Sequence, residues 1–488
     1  MSVLEKRYAQ TRVATEMGRR RVTTRNVIAA VFPHATNREA EPQLHSHCVV
    51  MNATQLPDGR WFSFANEKAI ANKKLLGQIY QNELAIALQN HGYIIEPKAH
   101  GQFELVGYSP ELLKLFSTRR QQIEALVALW EAEGTTVFSA DGQVLRSRLA
   151  LYEAAALKSR KRKPTPMQPE QLRQGWNALA QVEGLDLPEL PTASSQHAQA
   201  KQIVSTESEI VSGILKPDIE PAIAHCSERE AVFRRTALER FAFEHQLGQQ
   251  SFDQLQEAIE ASPELIRIDE TRMTTQAAIR LELATIRLMQ GGQGQIKEIA
   301  LQEEVEQLLE KSSLTTEQRQ AIRQTLTCSD SVMAWQGSAG VAKTYALNEL
   351  KLIAQAKGFQ VRGFAPSAEA AHTLGESLKN ETSTEEGLLV SPVEEETVSA
   401  IWFVDEAGLL SMKDAHALLV KAQREGARVL LVGDTKQLSA VEAGNPFKSL
   451  QAGGIDLARL DHSLRQKTEE LKLAVRLVSE GNVVRGID

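Results

Sequence analysis

Three histidines, His34, His45 and His47, stand close enough along the chain to act on one metal ion. In Leu44-His45-Ser46-His47 one residue separates two imidazoles, so on a strand they project from the same face. His34 ends the neighbouring apolar run and supplies a third donor. Neutral imidazole ligates divalent transition metals, and three such ligands leave positions open for water or a phosphate oxygen. The set therefore suits a cation, Mg²⁺ or Mn²⁺, that polarises a phosphodiester. Taken as a bare His-x-His, the same residues are more readily read as surface histidines on a half-exposed strand.

A second constellation begins at Gly337-Ser338-Ala339-Gly340-Val341-Ala342-Lys343-Thr344, which follows an apolar run and opens a helical pattern at 345–351. Its spacing is close to that of a phosphate loop. There, backbone amides around Gly337 and Gly340 wrap the phosphates, Lys343 neutralises them and the Thr344 hydroxyl meets Mg²⁺. Ala342 stands where glycine is expected, a change the backbone accepts if its φ is negative. Ile401-Trp402-Phe403-Val404-Asp405-Glu406 is an apolar strand ending in two carboxylates, Asp405 to hold Mg²⁺ and Glu406 to activate the attacking water. Gln437, in the polar loop after 429–432, is positioned to sense the γ-phosphate, and Arg465 offers a cation to the transition state. ATP with Mg²⁺ is the implied cofactor.

These residues need two kinds of scaffold. Residues 25–31 read as a buried strand and 43–53 as its partner, with Pro57-Asp58-Gly59 a turn, 60–64 a short third strand and 68–89 a long helix. Residues 110–159 are helical in spacing. Prolines mark 163–168 and 187–195 as linkers. From 201 to 310 almost everything reads as helix. Beyond Leu314, apolar runs at 332–335, 361–365, 401–404 and 429–432 alternate with helices, the pattern of a parallel sheet covered on both faces.

Composition sets the limits. The 488 residues, 42% hydrophobic and 24% charged, exceed one ordinary core and suggest about three domains. Cys48, Cys226 and Cys328 lie far apart and form no CxxC pair, which fits a reducing cytoplasm rather than a disulfide framework. No leader pattern opens the chain, and no apolar run reaches the roughly 18 residues of a membrane span. A net charge of −7 excludes general attraction to nucleic acid, so DNA affinity must be local. Arg19-Arg20-Arg21, ahead of a strand, and the basic run 158–163 are the candidates, each equally read as a solvated helix end or linker.

Pro42-Gln43-Leu44-His45-Ser46-His47 closely resembles the histidine motif of HUH relaxases of the MobF, TrwC-like class. The resemblance continues through Pro57-Asp58-Gly59-Arg60-Trp61, Gly77-Gln78-Ile79-Tyr80 and Phe116-Ser117-Thr118-Arg119-Arg120, over roughly residues 1–185. It implies a metal-holding role for the triad. Relaxases of this family cleave DNA with a tyrosine ahead of the histidines. Here 33 residues precede His34, and their sole tyrosine, Tyr8, falls where the family has a helix. The resemblance thus implies a relaxase entered partway, with nicking lost.

From Leu314-Thr315-Thr316-Glu317-Gln318 to Leu464-Arg465-Gln466, motif order and spacing resemble superfamily 1 helicases of the RecD-like group, with Gln318 as the adenine reader. Only the first of two RecA-like motor domains is expected, because Asp488 follows Gln466 by 22 residues. Ser367, in a stretch similar to a DNA-contacting motif, is equally a turn former. The segment at 222–233 resembles the helical lead-in of relaxase-helicases, and Ser227 is expected to cap a helix there.

The expected fold is multidomain, α+β then α/β. A partial HUH relaxase sheet with a helical extension spans 1–185, a helical linking region 186–310, and a RecA-like P-loop domain 311–488. The resemblance implies a cytoplasmic fragment of a conjugative relaxase-helicase acting on single-stranded DNA of a plasmid transfer origin. The parent activity is origin nicking and 5′→3′ unwinding. The alternatives are a non-catalytic DNA-binding or interfering protein, and one piece of a split relaxase partnered by a separately encoded remainder.

Overall fold

The computed structural model describes all residues except 17, 135–146, 162–166, 189–217, 311, 339, 381, 393–398, 436–443 and 461–488. It divides into two units. One comprises Met1–Pro217 with Glu239–Gln256, the other Asp218–Leu238 with Glu257–Asp488.

The first unit is α+β. Its strands form antiparallel pairs: β1 (Gln10–Thr15) with β2 (Gly18–Thr23), β3 (Ala29–Thr36) with β4 (Pro42–Val50), β5 (Thr54–Gln55) with β6 (Trp61–Phe62), and β7 (Ile95–Lys98) with β8 (Gln102–Leu105). The turn at Pro57-Asp58-Gly59 joins β5 to β6, with Gly59 at φ +86°, where a side chain would be strained. The strand expected at 25–31 begins at Ala29 and runs on past His34. It is not buried: Val31 and Phe32 are more than half exposed, at 55% and 51%. The run Arg19-Arg20-Arg21 lies inside β2 rather than ahead of it. Arg21 pairs across the hairpin with Arg12, a repulsive register, and Glu67 bridges both guanidiniums.

The helix expected over 68–89 is broken at Asn72 into Glu67–Ala71 and Lys73–Asn90. Helices Thr118–Ala132 and Arg148–Lys158 pack through Val127, Trp130 and Ala155. The linker expected at 187–195 lies largely outside the described residues, as does most of that at 163–168.

The second unit corrects the all-helical reading of 201–310. Short strands β9 (Val232–Arg234), β10 (Leu265–Arg267) and β11 (Arg272–Thr275) form an antiparallel sheet of order β10-β11-β9. Ser227 caps nothing. It sits inside the helix Glu220–Arg229 and donates back to the Ala224 carbonyl at 3.2 Å.

Beyond it lies the expected parallel sheet. Strands β12 (Val332–Gly337), β13 (Gln360–Ala365), β14 (Thr382–Thr384), β15 (Ala400–Val404), β16 (Arg428–Gly433) and β17 (Asp456–Leu460) take the order β14-β13-β15-β16-β12-β17, every pairing parallel. Side-chain alternation divides its apolar residues between two cores. Met333, Trp335, Ile401, Phe403, Leu430 and Val432 pack into one, and Val332, Ala334, Trp402, Val404, Val429 and Leu431 into the other. Strands buried on both faces read as continuous apolar runs, which is why they were conspicuous in the sequence.

After β12 the chain crosses over β16 and β15 to reach β13, so the strand order reverses beside β12. Open α/β sheets bind ligands at the carboxyl ends of strands at such a switch point.

Candidate functional site

In the first unit, the β3–β4 register sets His34 directly opposite His45, with Phe32 opposite His47. Ring centroids of His34 lie 5.3 Å from His45 and 4.8 Å from His47, and those of His45 and His47 are 5.0 Å apart. One ligand nitrogen from each ring lies within 4.8 Å of the others. His45 Nδ1 meets the Gln43 carbonyl at 2.9 Å. A carbonyl only accepts, so the proton is on Nδ1 and Nε2 keeps its lone pair for a metal, the usual orienting contact of a ligating histidine. The donor set fits a borderline divalent cation.

The tip of this hairpin is tied down. Glu41 is 7% exposed, and its carboxylate accepts from the Thr118 amide at 2.8 Å and from Asn37 Nδ2 at 2.6 Å. It thereby caps the N-terminus of the Thr118–Ala132 helix. Trp176 Nε1 donates to the Ala40 carbonyl at 2.8 Å, and Lys161 pairs with Glu39 at 2.8 Å. Ala40 takes a left-handed φ of +59° at this tip. Sequence reasoning passed over Glu41 and Trp176. A carboxylate four residues before His45 was the visible sign, but only its partner Asn37 is near in sequence, while Thr118 opens a helix 77 residues on.

Tyr8 ends the helical turn Leu4–Tyr8 and is 6% exposed, its hydroxyl buried. Burial, with help from Glu239, pushes its pKa up. A nucleophilic tyrosine needs the opposite: access and a stabilised phenolate.

In the second unit, β12 ends at Gly337 and the helix Lys343–Ala356 begins six residues on. A Cβ at Gly337 would press on Leu460, Val341 and Lys343 at 3.1–3.2 Å, so glycine spares these neighbours a shift of a few tenths of an ångström. Gly340 has φ +86°. Ala342 departs from expectation: φ +55°, ψ +47° place it in the left-handed region that glycine occupies freely. An L-residue there costs on the order of 1–2 kcal/mol. Lys343 Nζ donates to the Gly337 carbonyl at 2.8 Å.

Gln318 is 2% exposed beneath this loop. Its Oε1 accepts from the Thr315 amide at 3.0 Å, and its Nε2 donates to the Val341 carbonyl at 3.1 Å. Reading adenine would require it to exchange those partners.

Thr344, Asp405 and Glu406 line one cavity of about 370 Å³ with Ser367 and Glu369. Asp405 accepts from the Glu406 amide at 2.9 Å. Burial raises the Asp405 pKa, and the Glu406 amide and Lys343 pull it back. Burial and Asp405 raise that of Glu406, which sits at a left-handed φ of +53°. A hydroxyl and two carboxylates around one cavity form a hard oxygen set of the kind Mg²⁺ prefers. Ser367 caps the helix Ala368–Leu378, accepting from the Ala370 amide at 3.2 Å. Gln437 and Arg465 lie outside the described residues.

A phosphate loop on a six-stranded parallel sheet defines a RecA-like P-loop unit, accompanied by a unit that gathers three histidines on one hairpin. The family models of the TrwC relaxase and of an AAA domain match residues 1–182 and 313–488. The multifunctional conjugation protein TraI of Escherichia coli is 26% identical over 486 residues, covering 92% of this chain and 25% of TraI. Conjugal transfer protein TraA of Rhizobium radiobacter is 30% identical over 162 residues, 31% of this chain and 14% of TraA. A solved structure of TrwC complexed with a 27-mer DNA is 33% identical, covering 38% of this chain and 62% of that one, with a TM-score of 0.33. The chain thus resembles TrwC-like, MobF-type relaxase-helicases in both parts, and it spans about a quarter of the length of the TraI proteins it matches. Among the described residues no helix is long and apolar enough to cross a membrane.

Proposed function

We propose that this chain holds a divalent cation, Mn²⁺ in preference to the harder Mg²⁺, at His34, His45 and His47 and binds ATP with Mg²⁺ at the phosphate loop. It would do so in the cytoplasm on single-stranded DNA of a plasmid transfer origin, with a relaxase part over 1–185, a linking part over 186–310 that mixes helices with the short strands β9, β10 and β11, and a motor part over 311–488. The observation that carries this reading is the convergence of three imidazoles from paired strands within 4.8 Å, in a region matching the TrwC relaxase family. The three imidazole nitrogens would hold the cation, which when bound would supply positive charge to polarise a phosphodiester oxygen. At the other site Gly337, Gly340 and Lys343 receive phosphates, and Thr344 with Asp405 meets Mg²⁺. Glu406 would activate the attacking water, Gln437 would sense the γ-phosphate, and Arg465 would offer positive charge to the transition state.

A second reading, DNA binding without efficient turnover, is favoured by the strained backbone of Ala342. Titration calorimetry with Mn²⁺ tests the first site: one binding event in the wild type, strongly weakened in His47→Ala. Equal binding by both would overturn it. Fluorescent-ATP titration beside DNA-stimulated turnover, with Lys343→Ala as control, separates the two readings of the motor part.

A further inference from the structure

Gln318, on which a hydrogen-bonded reading of adenine would depend, is spent on its own chain. Its Oε1 accepts from the Thr315 amide at 3.0 Å while the Thr315 hydroxyl accepts from the Gln318 amide at 3.2 Å, a reciprocal cap on the helix Thr316–Thr327. Its Nε2 donates to the Val341 carbonyl of the phosphate loop at 3.1 Å. Only 2% of the residue is exposed. To meet a base it would have to leave a buried site and give up both side-chain bonds, and the two it could make in exchange would at most replace them.

Beside the same loop the chain holds out an aromatic ring. Tyr345 follows Lys343 and Thr344 in the first turn of the helix Lys343–Ala356 and is 45% exposed, whereas Ala346 and Leu347 after it are fully buried. Its hydroxyl lies 2.6 Å from the Ser313 Oγ, and Ser313 leads into the capped turn at Thr315. The ring is thus fixed at its Cβ and at its hydroxyl, between the phosphate-loop helix and the segment that enters the Gln318 helix. Stacking on a side chain already held in place costs little conformational freedom. A loop that grips phosphates through its amides and Lys343 leaves the nucleoside outside it, next to the first helical turn. Stacking is indifferent to base identity because every base has a π-face, whereas a hydrogen-bonding site rejects the wrong partner strongly.

We propose that Tyr345, and not Gln318, receives the base, so that the motor part takes purine and pyrimidine nucleotides alike. The proposal rests on the reading of Gly337 to Thr344 as a nucleotide-binding loop. The experiment is titration calorimetry on the full chain with Mg²⁺ and, in turn, ADP, GDP, CDP and inorganic pyrophosphate, the nucleoside diphosphates being chosen so that no turnover intrudes. The variants are Tyr345→Leu, Tyr345→Phe and, as a control on the loop, Lys343→Ala, each checked by thermal melting.

The three nucleotides should bind within about tenfold of one another, and all more tightly than pyrophosphate. Tyr345→Leu should weaken each nucleotide roughly five- to a hundredfold while leaving pyrophosphate unchanged, a split that a merely structural role would not produce. Tyr345→Phe keeps the ring and should keep most of the affinity. A preference for ADP of about a hundredfold or more, or nucleotide binding that Tyr345→Leu leaves intact, would overturn the platform even if pyrophosphate binding lost in Lys343→Ala upheld the loop. Binding of neither nucleotides nor pyrophosphate would sink the loop reading and the platform with it.

Discussion

Gln336 and Asp434 meet inside the second unit, the Gln336 amide donating to the buried Asp434 carboxylate at 2.8 Å. Gln336 precedes the first glycine of the phosphate loop, and Asp434 follows β16. The same Gln336 accepts through Oε1 from the Thr435 amide at 3.2 Å and from Gln451 at 3.1 Å. One side chain therefore joins the phosphate-loop strand to the loop after β16. Gln336→Leu should destabilise the unit by about 1–3 kcal/mol, because it removes the buried hydrogen bond to Asp434 and the acceptor of Thr435 and Gln451. A lowered midpoint in urea denaturation checks this, and an unchanged midpoint would refute it.

Ala342 makes a prediction of opposite sign. Glycine there relieves on the order of 1–2 kcal/mol of left-handed strain while giving back about 0.4–1 kcal/mol of unfolded-chain entropy. The balance favours Ala342→Gly, so melting temperature and fluorescent-ATP affinity should both rise modestly. A fall in either would show that the alanine methyl makes a contact worth more than the strain.

How much of this could be read beforehand depended on whether the signal was local. The strands carrying Asp405 and the phosphate loop were found within a residue or two, because burial on both faces leaves an unbroken apolar run. The histidines were found because a period of two puts neighbours on one face. Strands β9, β10 and β11 were missed: with three or four residues each, as in Leu265-Ile266-Arg267, they are too short to show alternation against flanking helices. Gln336 and Asp434 are 98 residues apart, and no periodicity marks a pair joined only by the fold. The left-handed φ of Ala342 was likewise invisible, since sequence gives the residue and not the dihedral.

Glu385 gives a pH-dependent test. Burial, then Asp414, raises its pKa from 4.5 to about 7, and among the described residues its buried Oε2 has no hydrogen-bond partner. A carboxyl raised in the folded state contributes stability that is full below the unfolded pKa and lost as pH rises through the folded one. The loss therefore falls between about pH 4.5 and 7. Glu385→Gln should match the wild type near pH 4.5 and exceed it above pH 7 by about 2 kcal/mol, allowing for solvent screening. Denaturant titrations at the two pH values decide it, and a constant difference would refute the assignment.

Tyr8 is the next test. With its hydroxyl inside and its pKa raised, it cannot present a phenolate to a phosphodiester. Incubation with labelled origin oligonucleotides and Mn²⁺, followed by a denaturing gel, should leave no covalent protein–DNA band. A band abolished by Tyr8→Phe would reverse this conclusion.

Glu41 connects the geometry of the first unit to its proposed chemistry. It is not among the three histidines gathered by the hairpin, but it anchors the tip from which β4 enters the site, accepting from Thr118 and Asn37. Substituting alanine leaves the helix N-terminus uncapped, at a cost of about 0.5–2 kcal/mol. It also frees the Asn37–Glu41 turn, whose Ala40 is held at a left-handed φ that the chain would otherwise relax. Relaxing that turn shifts Gln43 and with it the hydrogen bond that keeps the His45 proton on Nδ1. Loss of such outer support typically lowers metal affinity about 10- to 100-fold. Glu41→Ala should therefore weaken Mn²⁺ binding in titration calorimetry by that factor although it removes no ligand, and Glu41→Gln, which keeps one acceptor oxygen, should recover part of it. Wild-type affinity in Glu41→Ala, in a protein shown by melting to be destabilised, would mean that the strand pairing of β3 and β4 alone positions the histidines.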